Sequence, residues 1–342
     1  MKKQLDGVIE ESQEKVANLT IHQAKKIANT YIEEIKASDA TDLYSYNKLV
    51  QFVEELVAQE EICGDANDYH NFAVELAREN HEQLACMLIE RGLKQFPSNV
   101  DLLSDYLQYG ISIGKEKECN EAYEKLMKIP NNRWTWRGFS FSINYLQHLL
   151  DDVSESGEQI EELKEKIIQI ADDYVKYLPY SEEGYRAKAR VYSSIKDDPN
   201  AEVEILKECL SIVKVSPKSA LRSADIYFER GEYENALECV ERAIRDANQT
   251  QGSINEGYVY YLSGLCKMSM LGSIKGKEIT EDVKEQVRDI FIDFNSAFLE
   301  FGLEIDGTYK KVMIKKAKML KSRYDDVEIP FKCEKLLENM DE

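Results

Sequence analysis

The chain has 342 residues, a formal net charge of −20, and only 16 glycines and 6 prolines. So few turn-forming residues disfavour a fold built from many β-strands, and the negative charge disfavours free nucleic acid as the main ligand because a phosphate backbone repels it. No apolar run approaches the roughly 20 residues of a membrane-spanning helix, and the first residues lack a continuous apolar core. We therefore expect a soluble protein that is not exported and does not enter a membrane.

The cysteines and histidines do not form a recognisable metal or catalytic pattern. Seven cysteines are scattered along the chain, without the close pairs that bind zinc. We expect reduced, mostly buried thiols, and hence a cytoplasmic protein. The sequence contains no phosphate-binding glycine loop, nucleophile elbow or kinase signature. We predict no metal, no cofactor and no enzymatic activity; a cryptic enzyme would need side chains from distant segments to converge.

Residues 1–65 form the first predicted region. The segments "NLTIHQAKKIANTYIEEI" and "DLYSYNKLVQFVEELVAQEE" have the apolar periodicity of amphipathic helices. Thr20 and Thr41 lie near their starts, where a hydroxyl can cap a helix. The sequence leaves open whether this region is a cryptic copy of the repeat that follows or a separate helical region.

A repeat begins after residue 65. The spacing of residues in "NFAVELARENHEQLACMLIERGLKQFPSN" returns 34 residues further along the chain, and Pro97 recurs after 33 residues as Pro130. Ala73, Asn80, Ala85 and Ile89 correspond in this way to Leu107, Gly114, Cys119 and Tyr123. Asn80 is expected in a turn between two helices, because asparagine and glycine tolerate a positive φ best.

The next segment fits two degenerate units, one of them lengthened. Helices are predicted over residues 134–150 and 159–178, with the extra length assigned to the acidic stretch 151–162. The following unit places Tyr185, Ala189 and Tyr192 on its first helix, and its turn "KDDPN" lacks glycine. Trp134 and Trp136 cannot share one helix face, so we expect one of them to be exposed. Burial of a tryptophan in the core at a helix start is favoured over a partner-binding role.

The segment "ALRSADIYFERGEYENALECVERAIRDAN" repeats the spacing most closely. Its matching residues are Ala224, Tyr227, Gly231, Tyr233, Ala236, Val240 and Ala243. Here the chain resembles the tetratricopeptide repeat family, whose unit is a pair of antiparallel helices with small residues at fixed sites. The resemblance covers residues 66–302 and implies an all-α, right-handed solenoid of about six helix pairs, in which small side chains let neighbouring helices approach closely.

Residues 303–342 form the last predicted region. The stretch "TYKKVMIKKAKMLKSR" contains a basic patch and no acidic residue, while Tyr309, Val312, Met313, Leu320 and Tyr324 recur at helical spacing. The patch comprises Lys310, Lys311, Lys315, Lys318 and Lys321. We favour a basic helix that caps the solenoid over a nucleic-acid or membrane-surface site, because the stretch lacks interleaved aromatics and a large apolar face.

The resemblance also indicates where a partner would bind. In this family the first helix of each unit lines a concave groove, and here Arg186 and Arg190 lie at i and i+4 on such a helix. Lys218 and Arg222 lie at or beside the equivalent face of the next unit. Four converging cations would favour an acidic segment. Equally, these cations could form ordinary surface ion pairs with Glu182, Glu183 and Asp225.

A second candidate group lies at the other end of the repeats. It consists of His70, Asn71, Arg78, Tyr106 and Tyr109. Family members that bind the terminal carboxylate of chaperones use a Lys and Asn pair followed by Lys or Arg. The matching positions here are His70, Val74, Ser104 and Gln108, so that activity is not predicted.

The sequence thus predicts a non-catalytic adaptor or scaffold that binds an acidic protein or peptide in its groove. The alternative hypothesis is a regulatory subunit of an effector complex that contacts nucleic acid or a small signal through the basic helix. Repeat folds host many roles, so the resemblance does not identify the partner or the oligomeric state.

Overall fold

A computed structural model describes residues 19–37, 43–152, 157–250, 254–271, 280–300 and 307–340. These residues form sixteen α-helices and two short 3₁₀ turns. The only extended pairing in the described ranges is an isolated bridge between Thr20 and Cys63. The predicted all-α fold class is therefore confirmed.

The helices divide equally between two compact units, residues 1–178 and 179–342. The first unit contains α1 Ile21–Ala37, α2 Leu43–Val57, α3 Ala66–Arg78, α4 Glu82–Gln95, α5 Val100–Ser112, α6 Glu116–Met127, α7 Trp136–Asp152 and α8 Gly157–Tyr177. The second unit contains α9 Glu182–Ile195, α10 Pro199–Ile212, α11 Pro217–Glu229, α12 Tyr233–Ala247, α13 Glu256–Leu271, α14 Glu281–Glu300, α15 Gly307–Arg323 and α16 Glu334–Met340.

Within each unit, consecutive helices pack as pairs, and the pairs stack on one another. In the first unit α5 packs against both helices of the preceding pair, α3 and α4, and α7 packs against α5. In the second unit α11 contacts α9 and α10, and α13 contacts α11 and α12. This packing of each first helix on the preceding pair is the arrangement that the repeat predicts.

The turns within three of the pairs share one geometry. Asn80, Gly114 and Gly231 have positive φ angles of 61°, 73° and 76°. The next backbone N–H donates to a carbonyl five residues earlier in each turn: His81 to Leu76, Lys115 to Gly110 and Glu232 to Tyr227, all at 2.9 Å. This is the Schellman end of a helix, which requires a left-handed residue. The predicted role of Asn80 and Gly231 is confirmed.

The turn between α9 and α10 also contains a residue with a positive φ, but this residue is not glycine. Asp197 takes the positive φ, 53°, and the Asp198 side chain accepts hydrogen bonds from the backbone N–H groups of Asn200 and Ala201. Aspartate tolerates the left-handed region better than most residues, and it caps the following helix well.

Small residues occupy the places where helices approach most closely. Ala73, Ala85, Ala224, Ala236 and Ala243 are all completely buried. A Cβ atom on Gly264 in α13 would lie 2.5 Å from the Phe294 ring in α14. Larger side chains would push these helices apart, so small residues set the distance between them.

The lengthened pair differs from the predicted insertion. Helix α7 has 17 residues and α8 has 21, against 12 to 14 in the two preceding pairs. Residues 157–162, which the sequence assigned to an insertion, belong to α8, and residues 153–156 lie outside the described ranges. Trp134 is buried and donates to the Ile129 carbonyl oxygen at 3.0 Å, whereas Trp136 is exposed.

Helices α1 and α2 stack on the first repeat in a different way. Helix α1 contacts α3, and α2 contacts α4. Thr20 and Gln23 form a capping box at the start of α1: the Thr20 hydroxyl accepts from the Gln23 N–H, and the Gln23 side chain accepts from the Thr20 N–H. The predicted cap at Thr20 is confirmed, and Thr41 lies outside the described residues.

The basic helix α15 packs on the last helix pair. Met313, Leu320 and Tyr324 are buried, as predicted, and Ala317 joins them in a cluster with residues of α13, α14 and α16. Val312 is half-buried, and Tyr309 is partly exposed with ring contacts to Tyr258 and Tyr261. None of the helices described is long and apolar enough to cross a lipid bilayer.

We predict that Gly264→Ala lowers the free energy of unfolding by about 1–3 kcal/mol, because the new methyl group collides with Phe294. Gly157→Ala is the matched control, since a Cβ atom there meets nothing within 4 Å. Thermal unfolding followed by circular dichroism measures both. If the two variants were equally stable, the close approach of Gly264 to Phe294 would not determine how α13 packs on α14.

We also predict that one thiol reacts with Ellman's reagent in the native chain at pH 8. Burial raises the pKa to about 12 for Cys86 and Cys266 and to about 11 for Cys119, Cys209 and Cys239, and it also raises the pKa of Cys333. Since the thiolate is the reactive form, these six thiols should react only after denaturation. Cys63 is exposed, and Cys63→Ser should abolish the fast reaction. Fast reaction of several native thiols would contradict the packing.

Candidate functional site

A cavity of about 360 Å³ lies between α9, α10 and α11 in the second unit, and we call it the arginine cavity. Arg186 and Arg190 line it from α9, and Arg222 lines it from α11. Three of the four cations predicted to converge therefore do so. The fourth, Lys218, is exposed at the second position of α11 and does not line the cavity.

Local structure explains why α9 presents these arginines together. The Ser181 hydroxyl accepts from the Gly184 N–H at 3.2 Å, which fixes the start of the helix. Arg186, Arg190 and Ser193 then follow at helical spacing on the face that lines the cavity. Tyr185 and Val191 are buried.

Two of the three arginines are already paired with glutamates. Arg186 Nη1 lies 2.8 Å from Glu183 Oε2, and Arg222 Nε lies 2.7 Å from Glu202 Oε1. The hydrogen bond to Glu202 raises the pKa of Arg222 above its ordinary value. Glu202 is only 6% exposed, so its carboxylate is a fixed part of the cavity wall.

Arg190 is the exposed cation of the cavity, and its guanidinium has no ion pair among the described residues. Three arginines and two glutamates leave the lining with a net charge of +1. Ser193 and Ser194 add hydroxyl groups at the same wall. The arrangement matches the charge and hydrogen-bonding capacity of one carboxylate.

The predicted ion pairs of these cations are only partly correct. Glu183 does pair with Arg186, but Glu182 accepts from the Ser219 N–H at 2.6 Å and Asp225 accepts from the Tyr258 hydroxyl at 2.7 Å. The contact of Glu202 with Arg222 was not predicted from the sequence. Glu202 lies on a second helix, and no local pattern shows that its side chain turns toward the first helix of the next pair.

Two residues of the second candidate group, His70 and Tyr106, are buried. His70 is buried, and its Nδ1 lies 2.5 Å from Oδ2 of Asp105. Tyr106 is also buried and donates to Glu90 Oε1 at 2.7 Å. Asn71 and Arg78 are exposed. His70 and Tyr106 therefore serve contacts within the fold rather than a shared partner surface.

Asp105 is the centre of a buried polar cluster in the first unit. It is completely buried, and Arg137 Nε lies 3.9 Å from its second carboxylate oxygen. Burial raises the pKa of Asp105, and the hydrogen bond to His70 opposes that change. Burial, assisted by the Asp105 carboxylate, raises the pKa of Tyr109 to about 12.

One group of potential metal ligands comes together that the sequence did not predict. Ligand atoms of Glu116, His148 and Asp152 lie within 4.8 Å of one another. His148 and Asp152 are one turn apart on α7, with Nε2 3.2 Å from Oδ2, while Glu116 comes from α6. Both carboxylates are exposed, as in many surface clusters without a metal.

The predicted basic patch lies on the exposed part of α15. Lys311, Lys315, Lys318 and Lys321 are exposed. Lys310 differs, because its ammonium lies 5.0 Å from the centre of the Phe298 ring in a cation–π contact.

We predict that His70→Ala destabilises the first unit by about 2–4 kcal/mol, because Asp105 would remain buried without its hydrogen-bond donor. His148→Ala, which removes an exposed pair with Asp152, should cost about 0–1 kcal/mol. Both tryptophans lie in the first unit, so their fluorescence during urea unfolding measures its stability. A His70→Ala variant as stable as His148→Ala would show that Asp105 does not depend on His70.

No protein-family model and no curated protein sequence matches the chain. Among solved structures, PilF of Pseudomonas aeruginosa is similar at 13% identity and a TM-score of 0.48, covering 73% of this chain and 97% of its own.

Two tetratricopeptide repeat proteins are also similar. One from Thermus thermophilus is 19% identical, with a TM-score of 0.42 over 54% of this chain and 93% of its own. Another from Parabacteroides merdae is 15% identical, with a TM-score of 0.42 over 87% of this chain and 99% of its own. The Schellman turns and the packing of each first helix on the preceding pair show that this chain has an all-α, tetratricopeptide-like fold.

Proposed function

We propose that this chain is a non-catalytic adaptor that binds an acidic segment of another protein through the arginine cavity. The observation that carries the proposal is the convergence of Arg186, Arg190 and Arg222 from two successive first helices. Because the chain is acidic, most of its surface repels negatively charged groups, whereas this cationic cavity attracts them.

The chemistry of the cavity supports recognition of one carboxylate at a time. Arg190 offers a planar guanidinium that can donate two parallel hydrogen bonds to a carboxylate. Arg186 and Arg222 are held by Glu183 and Glu202, which preorganises them before a partner arrives. A volume of about 360 Å³ admits one or two side chains. We therefore expect an aspartate or glutamate side chain to enter, while the rest of the segment lies along the helices.

The surroundings of the cavity support a longer contact. Lys218 lies one helical turn before Arg222 and is exposed. It would pair with a second acidic residue of the segment outside the cavity. The repeat region over residues 66–302 would carry this binding function, with residues 1–65 and 303–342 flanking it. Buried, unpaired cysteines support a reducing compartment such as the cytoplasm.

The test is affinity purification from the native cell with the wild-type chain, the Arg186→Glu/Arg190→Glu variant and a matched control. The control, Lys188→Glu/Lys214→Glu, makes the same change of charge in the same unit outside the cavity. We expect acidic partners to be retained by the wild type and the control and lost by the arginine variant. With the purified partner, the dissociation constant should rise by roughly tenfold or more.

Circular dichroism should show equal helicity for all three proteins, because Arg186 and Arg190 are surface residues of α9. An identical set of partners for the arginine variant and the wild type would remove the arginine cavity from the mechanism. Loss of the same partners in the control would assign binding to general charge instead.

A further inference from the structure

A second cavity, of about 410 Å³, lies elsewhere in the second unit between α13 and α15, and we call it the aromatic groove. Its floor and walls are mostly apolar and include Phe228, Tyr233, Leu265, Met268 and Met319. It shares no residue with the arginine cavity.

The helix geometry explains how α15 both caps the core and leaves this groove open. Met313, Ala317 and Leu320 occupy one face of α15 and are buried against the last helix pair. Lys316, Met319 and Arg323 follow at i, i+3 and i+7 on the neighbouring face, and all three line the groove. One face of α15 is therefore buried in the core, and the neighbouring face forms a wall of the groove.

Helix α13 supplies the opposite wall. Tyr261, Leu265 and Met268 lie at i, i+4 and i+7, which forms a second stripe facing the groove. Leu265 and Met268 are only half-buried in the folded chain. The Phe228 and Tyr233 rings, 5.5 Å apart, are the aromatic residues of α11 and α12 at this cavity. Methionine side chains at such a surface adapt to different apolar partners.

The charged residues of the groove indicate the charge of a complementary partner. The two charged residues that line it, Lys316 and Arg323, are both cationic, and its lining contains no carboxylate among the residues described. An apolar channel between two helices with a basic edge is complementary to an amphipathic helix whose polar face is acidic.

We propose that the aromatic groove binds a short amphipathic helix from a partner protein, with Leu, Phe or Met on its apolar face and Asp or Glu beside it. The apolar face enters between α13 and α15, and the acidic residues pair with Lys316. This site is separate from the arginine cavity, so one adaptor can hold two segments at once.

The experiment is a selection from a displayed library of random 16-residue peptides on the full chain. We expect one class of enriched peptides to carry apolar residues at i, i+3 and i+7 together with an excess of acidic residues. Synthetic, fluorescein-labelled members of this class are then measured by fluorescence anisotropy. Met319→Glu/Lys316→Glu should weaken their binding by roughly tenfold or more.

The matched control is Met270→Glu/Lys315→Glu. Met270 and Met319 are equally exposed, at 45%, and Met270 and Lys315 do not line the groove. Binding of this class should be unchanged in the control and in Arg186→Glu/Arg190→Glu. The comparison with Arg186→Glu/Arg190→Glu tests the aromatic groove independently of the proposed function. If the arginine cavity binds no partner, the enriched peptides should still bind the aromatic groove.

Three results would overturn the proposal: no enriched class of this composition, equal loss of binding in the control, or loss only in the arginine variant. A single-stranded 16-nucleotide RNA, tested in the same way, distinguishes the other class of ligand. Tight RNA binding that weakens equally in the groove variant and the control would assign α15 to nucleic acid instead.

Discussion

Close approach between helices is the constraint on which this structure depends. The distance between neighbouring helices is set where alanine or glycine meets a partner helix, as at Ala73, Ala224 and Gly264. Helices that approach this closely bury apolar surface on several sides, which no isolated pair could do. The left-handed residues Asn80, Gly114 and Gly231 reverse the chain direction between the two helices of a pair, so that the second helix packs closely against the first. Spacing and turn geometry are therefore one property of the repeat.

Polar contacts follow the same register. His70 and Asp105 are 35 residues apart, Asp101 and Thr135 are 34 apart, and Asp225 and Tyr258 are 33 apart. Each of these pairs connects the first helix of one repeat to the first helix of the next repeat, or to the residue just before that next helix. The separation is about 34 residues because that is the length of one repeat. The stacking is consequently specified by hydrogen bonds as well as by apolar packing, and a slipped register would leave these groups unpaired.

Much of this fold was predictable because its signals are local and recur. A positive φ favours glycine, asparagine or aspartate, and a close helix contact needs a small side chain, so both leave a mark at fixed positions. The arginine cavity was partly predictable for the same reason: Arg186 and Arg190 lie on one helix face. Glu202 could not be predicted, because it reaches Arg222 through the packing of a second helix on the following pair. The repeat spacing could have indicated the contact between His70 and Asp105, since they occupy nearly equivalent positions in successive units.

The uneven distribution of charge has a consequence for association kinetics. The basic stretch of α15 carries seven cations in a chain whose total charge is −20. An acidic partner of the kind proposed would be repelled by the acidic stretches of the chain and attracted to this helix, so its diffusion would be directed toward the helix before any contact forms. Mobile ions screen this long-range attraction beyond about 10 Å at 0.1 M salt. Added salt would therefore lower the association rate more than it raises the dissociation rate. For such a partner, the ionic strength would control the association rate more than the lifetime of the complex.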